Sequence, residues 1–150
     1  MSISKNGIAL LDTNIIVYAA DTSSPFHQNS KNIRDNALLG NIEVCVCPQV
    51  LMEFFAILTD SKRVKNQRAP EEVIAEMEKN LSSKKNISMI YPKRDTLPKT
   101  IELLGKYNLK RQTVFDAQLV ATMLSNNVTR IYTYNQDDFL KFEEIEVLLP

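Results

Sequence analysis

Asp12, Glu53, Asp116 and the cluster Asn135, Asp137 and Asp138 are the side chains whose types and settings suit chemistry. Asp12 closes the apolar run 8–11, and Asn135 follows the run 130–133; both runs read as buried strands. In an open α/β sheet, ligands bind at the carboxyl ends of the strands. Glu53 and Asp116 lie between these two points, each inside an apolar helical segment. Gathered at one sheet edge, such oxygen donors would hold a divalent cation. Hard cations such as magnesium take carboxylate and water oxygens, whereas zinc would call for histidine or cysteine. A cation of that kind polarises a phosphodiester and activates water for in-line attack.

Each position also has an ordinary structural explanation. Asp12 suits the N-cap of a helix beginning at Thr13. Thr113 and Asp116 match a capping box. Asn135 could cap a last short helix, with Asp137 and Asp138 favoured in its first turn by the helix dipole. Glu53 is harder to explain this way. Its helix, 48–59, is apolar nearly all round, which predicts burial. A buried carboxylate needs a partner or a metal, and no lysine or arginine stands at the neighbouring helical spacings. Asp116 shares a face with Leu119, Val120 and Met123, which turns it toward the core side.

The elements that must position these residues alternate along the chain. Strands are expected at 8–11, 42–46, 88–91, 130–133 and 146–149. Helices are expected at 13–20, 27–39, 48–59, from 70 onward, and at 97–107, 114–124 and 136–142. Pro48 and Pro70 open two of them, as proline does in a first turn. Val73, Ile74, Met77 and Leu81 form the expected buried stripe of the fourth helix. Strands separated by helices predict a parallel, layered α/β sheet. At 150 residues, with no linker or repeat, 1–150 reads as a single domain.

The bulk composition narrows the function classes. Acidic and basic residues balance at 18 each, so a nucleic-acid partner would need a local patch. Lys62, Arg63, Lys65 and Arg68 form one run without an intervening acid, and Lys110 with Arg111 form another; either could grip phosphates, and solvated loops explain both equally well. Cys45 and Cys47 suit buried, reduced thiols, in keeping with a reducing cytoplasm. The only histidine, His27, reads as a surface residue, which leaves little for a Ser-His-Asp or Cys-His mechanism. Phosphate-cradling glycine motifs are absent. The chain's start lacks a signal-peptide pattern, and no apolar run approaches the ~20 residues that span a bilayer. A soluble, cytoplasmic protein with no membrane partner is expected.

Taken in order, Leu11-Asp12-Thr13-Asn14, Leu51-Met52-Glu53-Phe54, Phe115-Asp116-Ala117 and Thr133-Tyr134-Asn135-Gln136-Asp137-Asp138-Phe139 resemble the PIN domain family across essentially the whole chain. The resemblance implies a three-layer α/β fold with a central, mostly parallel sheet flanked by helices. It implies a ribonuclease dependent on Mg2+ or Mn2+, similar to VapC toxins of toxin–antitoxin pairs, leaving 5′-phosphate and 3′-hydroxyl ends. RNA as substrate, an antitoxin protein and a homodimer are the partners it implies. Carried over, Asp12, Glu53 and Asp116 are the catalytic and metal-holding acids, with Asn135 and Asp137 completing the metal site. Asn135 stands where an aspartate is frequent, so Asn135, Asp137 and Asp138 compete for the fourth position. Two alternatives stay open: a PIN-like binding module without activity, favoured by Asn135, and a phosphatase using a strand-end aspartate.

Overall fold

The computed structural model describes residues 7–81 and 86–150, with 80 and 81 described by backbone alone. Five strands form one sheet: β1 (Ala9–Leu11), β2 (Val44–Val46), β3 (Ile87–Met89), β4 (Arg130–Tyr132) and β5 (Glu146–Leu148). Among the described residues, seven α-helices accompany them: α1 (Thr13–Ala20), α2 (His27–Leu38), α3 (Pro48–Leu58), α4 (Pro70–Glu76), α5 (Thr96–Lys106), α6 (Thr113–Ser125) and α7 (Gln136–Phe139). A π-helical turn, Met77–Leu81, prolongs α4.

The strand order is β3-β2-β1-β4-β5, and every pairing is parallel. The chain winds outward from β1 through β2 to β3, then returns across the sheet to β4 and β5. Right-handed crossovers therefore put the helices of the first half on one face and those of the second half on the other. The helix contacts agree: α1 packs on α2 and α3, and α3 on α4, whereas α6 packs on α5 and α7. Every residue of β1 and β2 is buried, whichever face it points to. Strands covered on both sides are uniformly apolar for this reason. Cys45 and Cys47 are free thiols inside this core, and burial pushes the Cys45 thiol up to about 12.

One expectation changes in α3. Val50, Leu51, Phe54 and Leu58 are buried, but Met52, Glu53 and Ala56 are exposed. The helix packs on α1 and α4 on one side only, so its apolar composition exceeds what the core takes up. Along α4, Val73 is fully buried and Met77 packs against the core, while Ile74 is 46% exposed. The side chain of Leu81 lies outside the described residues.

Candidate active site

The reversal of winding direction leaves a crevice at the carboxyl ends of β1 and β4, where doubly wound sheets bind their ligands. Asp12 leaves β1 there and Thr133 leaves β4. Leu11 pairs with Tyr132, and the Asp12 amide donates to the Tyr132 carbonyl at 3.1 Å, so the two strand ends are held side by side.

Asp12 is only 8% exposed, and its carboxylate is fully engaged. Oδ1 accepts from the Thr13 amide at 2.8 Å, which makes Asp12 the N-cap of α1 as expected. Oδ2 accepts from the Thr133 hydroxyl at 2.7 Å and from Asn14 Nδ2 at 3.3 Å. Thr133 Oγ1 in turn accepts from the Asn135 amide at 2.9 Å, and Asn14 Oδ1 accepts from the Tyr134 amide at 3.3 Å. Capping and site roles thus coincide in one side chain.

The other two expected capping positions make no side-chain capping bond. Gln112, not Thr113, is the N-cap of α6, and it makes no side-chain cap bond. The Thr113 hydroxyl instead exchanges hydrogen bonds with the Lys110 backbone. Asn135 occupies the N-cap of α7 but makes no side-chain cap bond either. Asp116 and Asn135 stand at helix starts without serving them.

Glu53 comes to the same crevice from α3. It accepts from the Thr13 hydroxyl at 3.2 Å. With Asp12 and Asn135 it lines a cleft of about 300 Å³ that also includes Asn14, Tyr18 and Arg63. The burial expected for Glu53 is therefore wrong, because the cleft keeps this side of α3 open to solvent. Gln49 Nε2 donates to the Phe115 carbonyl at 3.2 Å, tying the start of α3 to the start of α6. That contact links helices from opposite faces of the sheet.

Asp116 is half-buried at the start of α6. Burial and then the charge of Asp138, with smaller contributions from Asp12 and Glu53, push its carboxyl up to about 6, against the opposing charge of Lys141. Burial also holds the Asp12 carboxyl above its usual range, despite the hydrogen bonds from Thr133 and Thr13; Glu53 and Asp138 add to the rise. Four acids from different elements therefore repel one another across this sheet edge: Asp12, Glu53, Asp116 and Asp138. Asp137 is exposed and lines a separate shallow depression with Asp138 and Asn135. The charge of Asp138, not that of Asp137, is among the leading contributions at Asp12 and Asp116.

The donor set is all oxygen, carries excess negative charge and includes no histidine or thiolate, which suits magnesium or manganese. Among the described residues, no three His, Cys, Asp or Glu side chains close on a single point. Uncompensated carboxylates repel, and a cation is what would draw them together.

A pH dependence follows. A carboxyl held above its unfolded value binds a proton more tightly in the folded state, so stability falls as pH rises between the two values. For Asp116 that interval runs from 3.8 to about 6. Asp35, lowered by its hydrogen bond with Lys31, and Glu144, lowered against burial by Lys106 and Tyr107, have ordinary values of 3.8 and 4.5. Their opposing contributions are therefore complete before pH 5 is reached. In chelator, the protein is expected to melt at a higher temperature near pH ~5 than near pH ~7. Equal or reversed melting temperatures would mean that these acids do not repel in solution.

Sequence reasoning missed Thr133, Asn14 and Arg63 as site residues. Thr133 carried the clearest signal: a hydroxyl directly after an apolar strand that pairs beside the strand leading to Asp12. His27 also differs from expectation. It is half-buried, with Nδ1 at 2.9 Å from the Tyr18 carbonyl, in a wall where the rings of Tyr18, Phe26 and Tyr134 pack at 4.7–5.4 Å. The Tyr134 hydroxyl reaches Ser30 Oγ at 2.8 Å, which anchors the segment carrying Asn135 onto α2.

A parallel 3-2-1-4-5 sheet with acids converging at its switch point defines a known class, and the sequence matches the PIN domain model over residues 9–145. This chain belongs to the PIN domain family. Ribonuclease VapC48 of Mycobacterium tuberculosis is 24% identical over 139 residues, covering 93% of this chain and 94% of that protein. VapBC2 from Rickettsia felis, solved bound to a DNA fragment from its promoter, superposes with a TM-score of 0.67 at 20% identity, covering 95% of this chain and 98% of that one. VapC20 of M. tuberculosis, a toxin that cleaves the sarcin-ricin loop, superposes at 0.65 with 17% identity, over 93% of this chain and 99% of that one. The fold is that of VapC toxins. Among the described residues, no helix is long and apolar enough to cross a membrane.

Proposed function

We propose that this protein is a ribonuclease dependent on Mg2+ or Mn2+ and the toxin of a toxin–antitoxin pair. One observation carries the reading: Asp12, Glu53, Asp116 and Asp138 come from four elements to the β1–β4 crevice, near enough that their charges raise the Asp12 and Asp116 carboxyls. The relative named as a ribonuclease and the toxin structures with the same fold support RNA as substrate and an antitoxin as partner. A homodimer and a cytoplasmic setting belong to the same reading.

Asp12, Glu53 and Asp116 would hold the cation, with Asn135 contributing a neutral oxygen. When bound, the cation would stabilise charge on the scissile phosphate and supply a nucleophile at neutral pH. Asp12 is oriented for this by Thr13, Asn14 and Thr133. Glu53, exposed at the cleft and held by Thr13, is placed to orient water. Of the two acids behind Asn135, Asp138 takes the fourth position, since its charge reaches both Asp12 and Asp116. Asp138→Asn is therefore expected to lower cleavage about 10–100-fold, the scale of losing a residue that tunes a metal site, whereas Asp137→Asn stays within about twofold. Equal losses in the two variants would return the fourth position to Asp137 or to both.

The direct test is cleavage of a defined RNA panel with manganese and with chelator, with end analysis for 5′-phosphate products. Cleavage only with the metal is expected. No cleavage together with no magnesium or manganese binding by calorimetry would favour a binding module. Turnover of a phosphomonoester without RNA cleavage would favour a phosphatase.

A further inference from the structure

The basic run that sequence could not interpret separates into distinct roles. Arg68 is committed to the fold: its Nη1 lies 2.6 Å from Glu76 Oε1, and its Nη2 donates to the Ala20 carbonyl at 2.7 Å. Its amide also donates to the Leu58 carbonyl at 2.8 Å, closing the loop that follows α3. Lys62 and Lys65 are exposed and do not line the acidic cleft. Arg63 does line it, together with Asp12, Glu53 and Asn135, and it is the cation among the residues that form that cleft.

Its backbone is not left to chance. Asp60 organises the turn, its Oδ1 accepting from the Lys62 amide at 2.8 Å and its carbonyl accepting from the Arg63 and Val64 amides at 3.0 and 3.1 Å. Val64, 7% exposed, then inserts into the core. Arg63 is thus pinned between a closed turn and a buried anchor, with Arg68 securing the far end of the loop. Among the described residues its guanidinium makes no salt bridge, although the cleft is acidic.

We propose that Arg63 grips a backbone phosphate of the RNA next to the one being cleaved, a role that rests on the ribonuclease reading above. The acids alone would repel a polynucleotide. A divalent cation would offset the acids and serve a single phosphate, so the neighbouring phosphate needs its own positive partner. A guanidinium presents a planar fork of donors that matches phosphate oxygens in two places at once. Leaving it unpaired in the free protein means no ion pair has to be broken when RNA arrives.

The test compares Arg63→Ala, Arg63→Lys, Lys62→Ala and Lys65→Ala. Cleavage kinetics of a fluorophore–quencher RNA with manganese are measured at several salt concentrations, alongside anisotropy of a short fluorescein-labelled single-stranded RNA. Arg63→Ala is expected to raise KM about tenfold with a smaller change in kcat, the scale of one charge-assisted phosphate contact. Its salt dependence should flatten by about 0.7 in the log–log slope, one contact on a single strand. Arg63→Lys should recover part of the loss, and the two neighbouring lysine variants should stay near wild type.

The arms separate the two ideas. Efficient cleavage by Arg63→Ala with an unchanged salt slope, or equal losses in Lys62→Ala and Lys65→Ala, would overturn the Arg63 contact and leave the ribonuclease reading standing. If the wild type cleaves nothing, the RNA stays intact and anisotropy still reads the contact. Weaker RNA binding confined to Arg63→Ala would then support the contact while the ribonuclease reading fails. A wild type that neither cleaves nor binds RNA would overturn both.

Discussion

Asp12→Asn is expected to abolish RNA cleavage and, in chelator, to leave the protein as stable as wild type or more so. The two effects have one origin. Asp12 is almost fully buried, and burial outweighs its hydrogen bonds in holding the carboxyl above its usual range. The folded protein therefore favours an uncharged group at this position, and asparagine supplies one of nearly the same shape. The Thr13 amide keeps its acceptor. The Thr133 hydroxyl and Asn14 Nδ2, which both donate to Oδ2, would face the new amide NH2, and this offsets part of the gain. Repulsion with Glu53 and Asp138 is relieved. What is lost is the charge at the centre of the cation site, and a fall in rate of at least about 10²–10³ is the scale of removing a preorganised charge-stabilising group. Added magnesium should raise the melting temperature of the wild type and not that of the variant. An active variant would remove Asp12 from the machinery. An inactive one that is also unfolded in chelator would contradict the electrostatic account.

Thr133→Val is expected to cost both stability and activity, although it removes no charge and changes little volume. Thr133 is fully buried, and its hydroxyl donates to Asp12 Oδ2 while accepting from the Asn135 amide. Valine leaves the Asn135 amide without its acceptor and Asp12 Oδ2 with Asn14 Nδ2 alone, at a cost of about 1–3 kcal/mol for a buried polar group. A melting temperature lower by roughly 2–10 °C would follow for a chain of this length. Held at Oδ2 by Asn14 alone, the Asp12 carboxylate would then turn, and cleavage should fall about 10–100-fold, as with other groups that orient metal-site ligands. Thr133→Ser retains the hydroxyl and should recover most of the activity, which a purely packing role would not predict. Near-wild-type cleavage by the valine variant would show that Asp12 is oriented adequately by Thr13 and Asn14.

Much of this site was legible along the chain. Apolar runs ending in acids marked the strand ends, and the strand–helix alternation predicted the parallel sheet. The family resemblance selected Asp12, Glu53 and Asp116 out of 18 acidic residues. Glu53 was nonetheless assigned to the site by an argument that failed. An apolar helix predicts burial all round, yet Met52 is 59% exposed on the side that Glu53 shares. Composition reports what a helix could bury; its neighbours decide what it does bury.

The closing segment shows the same division. Asn135, Asp137 and Asp138 are adjacent in sequence, and no local rule ranks them. A helix turns about 100° per residue, so Asp137 and Asp138 look in different directions from α7. Both are exposed, but the charge of Asp138 is a leading contribution at Asp116. Likewise, four cations between residues 62 and 68 are equivalent as a string, but the Asp60 turn and the Glu76 pairing set Arg63 and Arg68 apart.

The sequence by itself determined the class of fold, the strand-end position of Asp12 and the oxygen-only character of the candidate site, because these depend on residue type and short-range periodicity. Tertiary structure alone decided that Thr133 holds Asp12, that the charge of Asp138 reaches it, and that Arg63 lines the cleft. Those relations join residues 51 to 126 positions apart, brought together by the return of the chain over its own sheet. Their strength depends on distance and burial, which spacing along a chain does not encode.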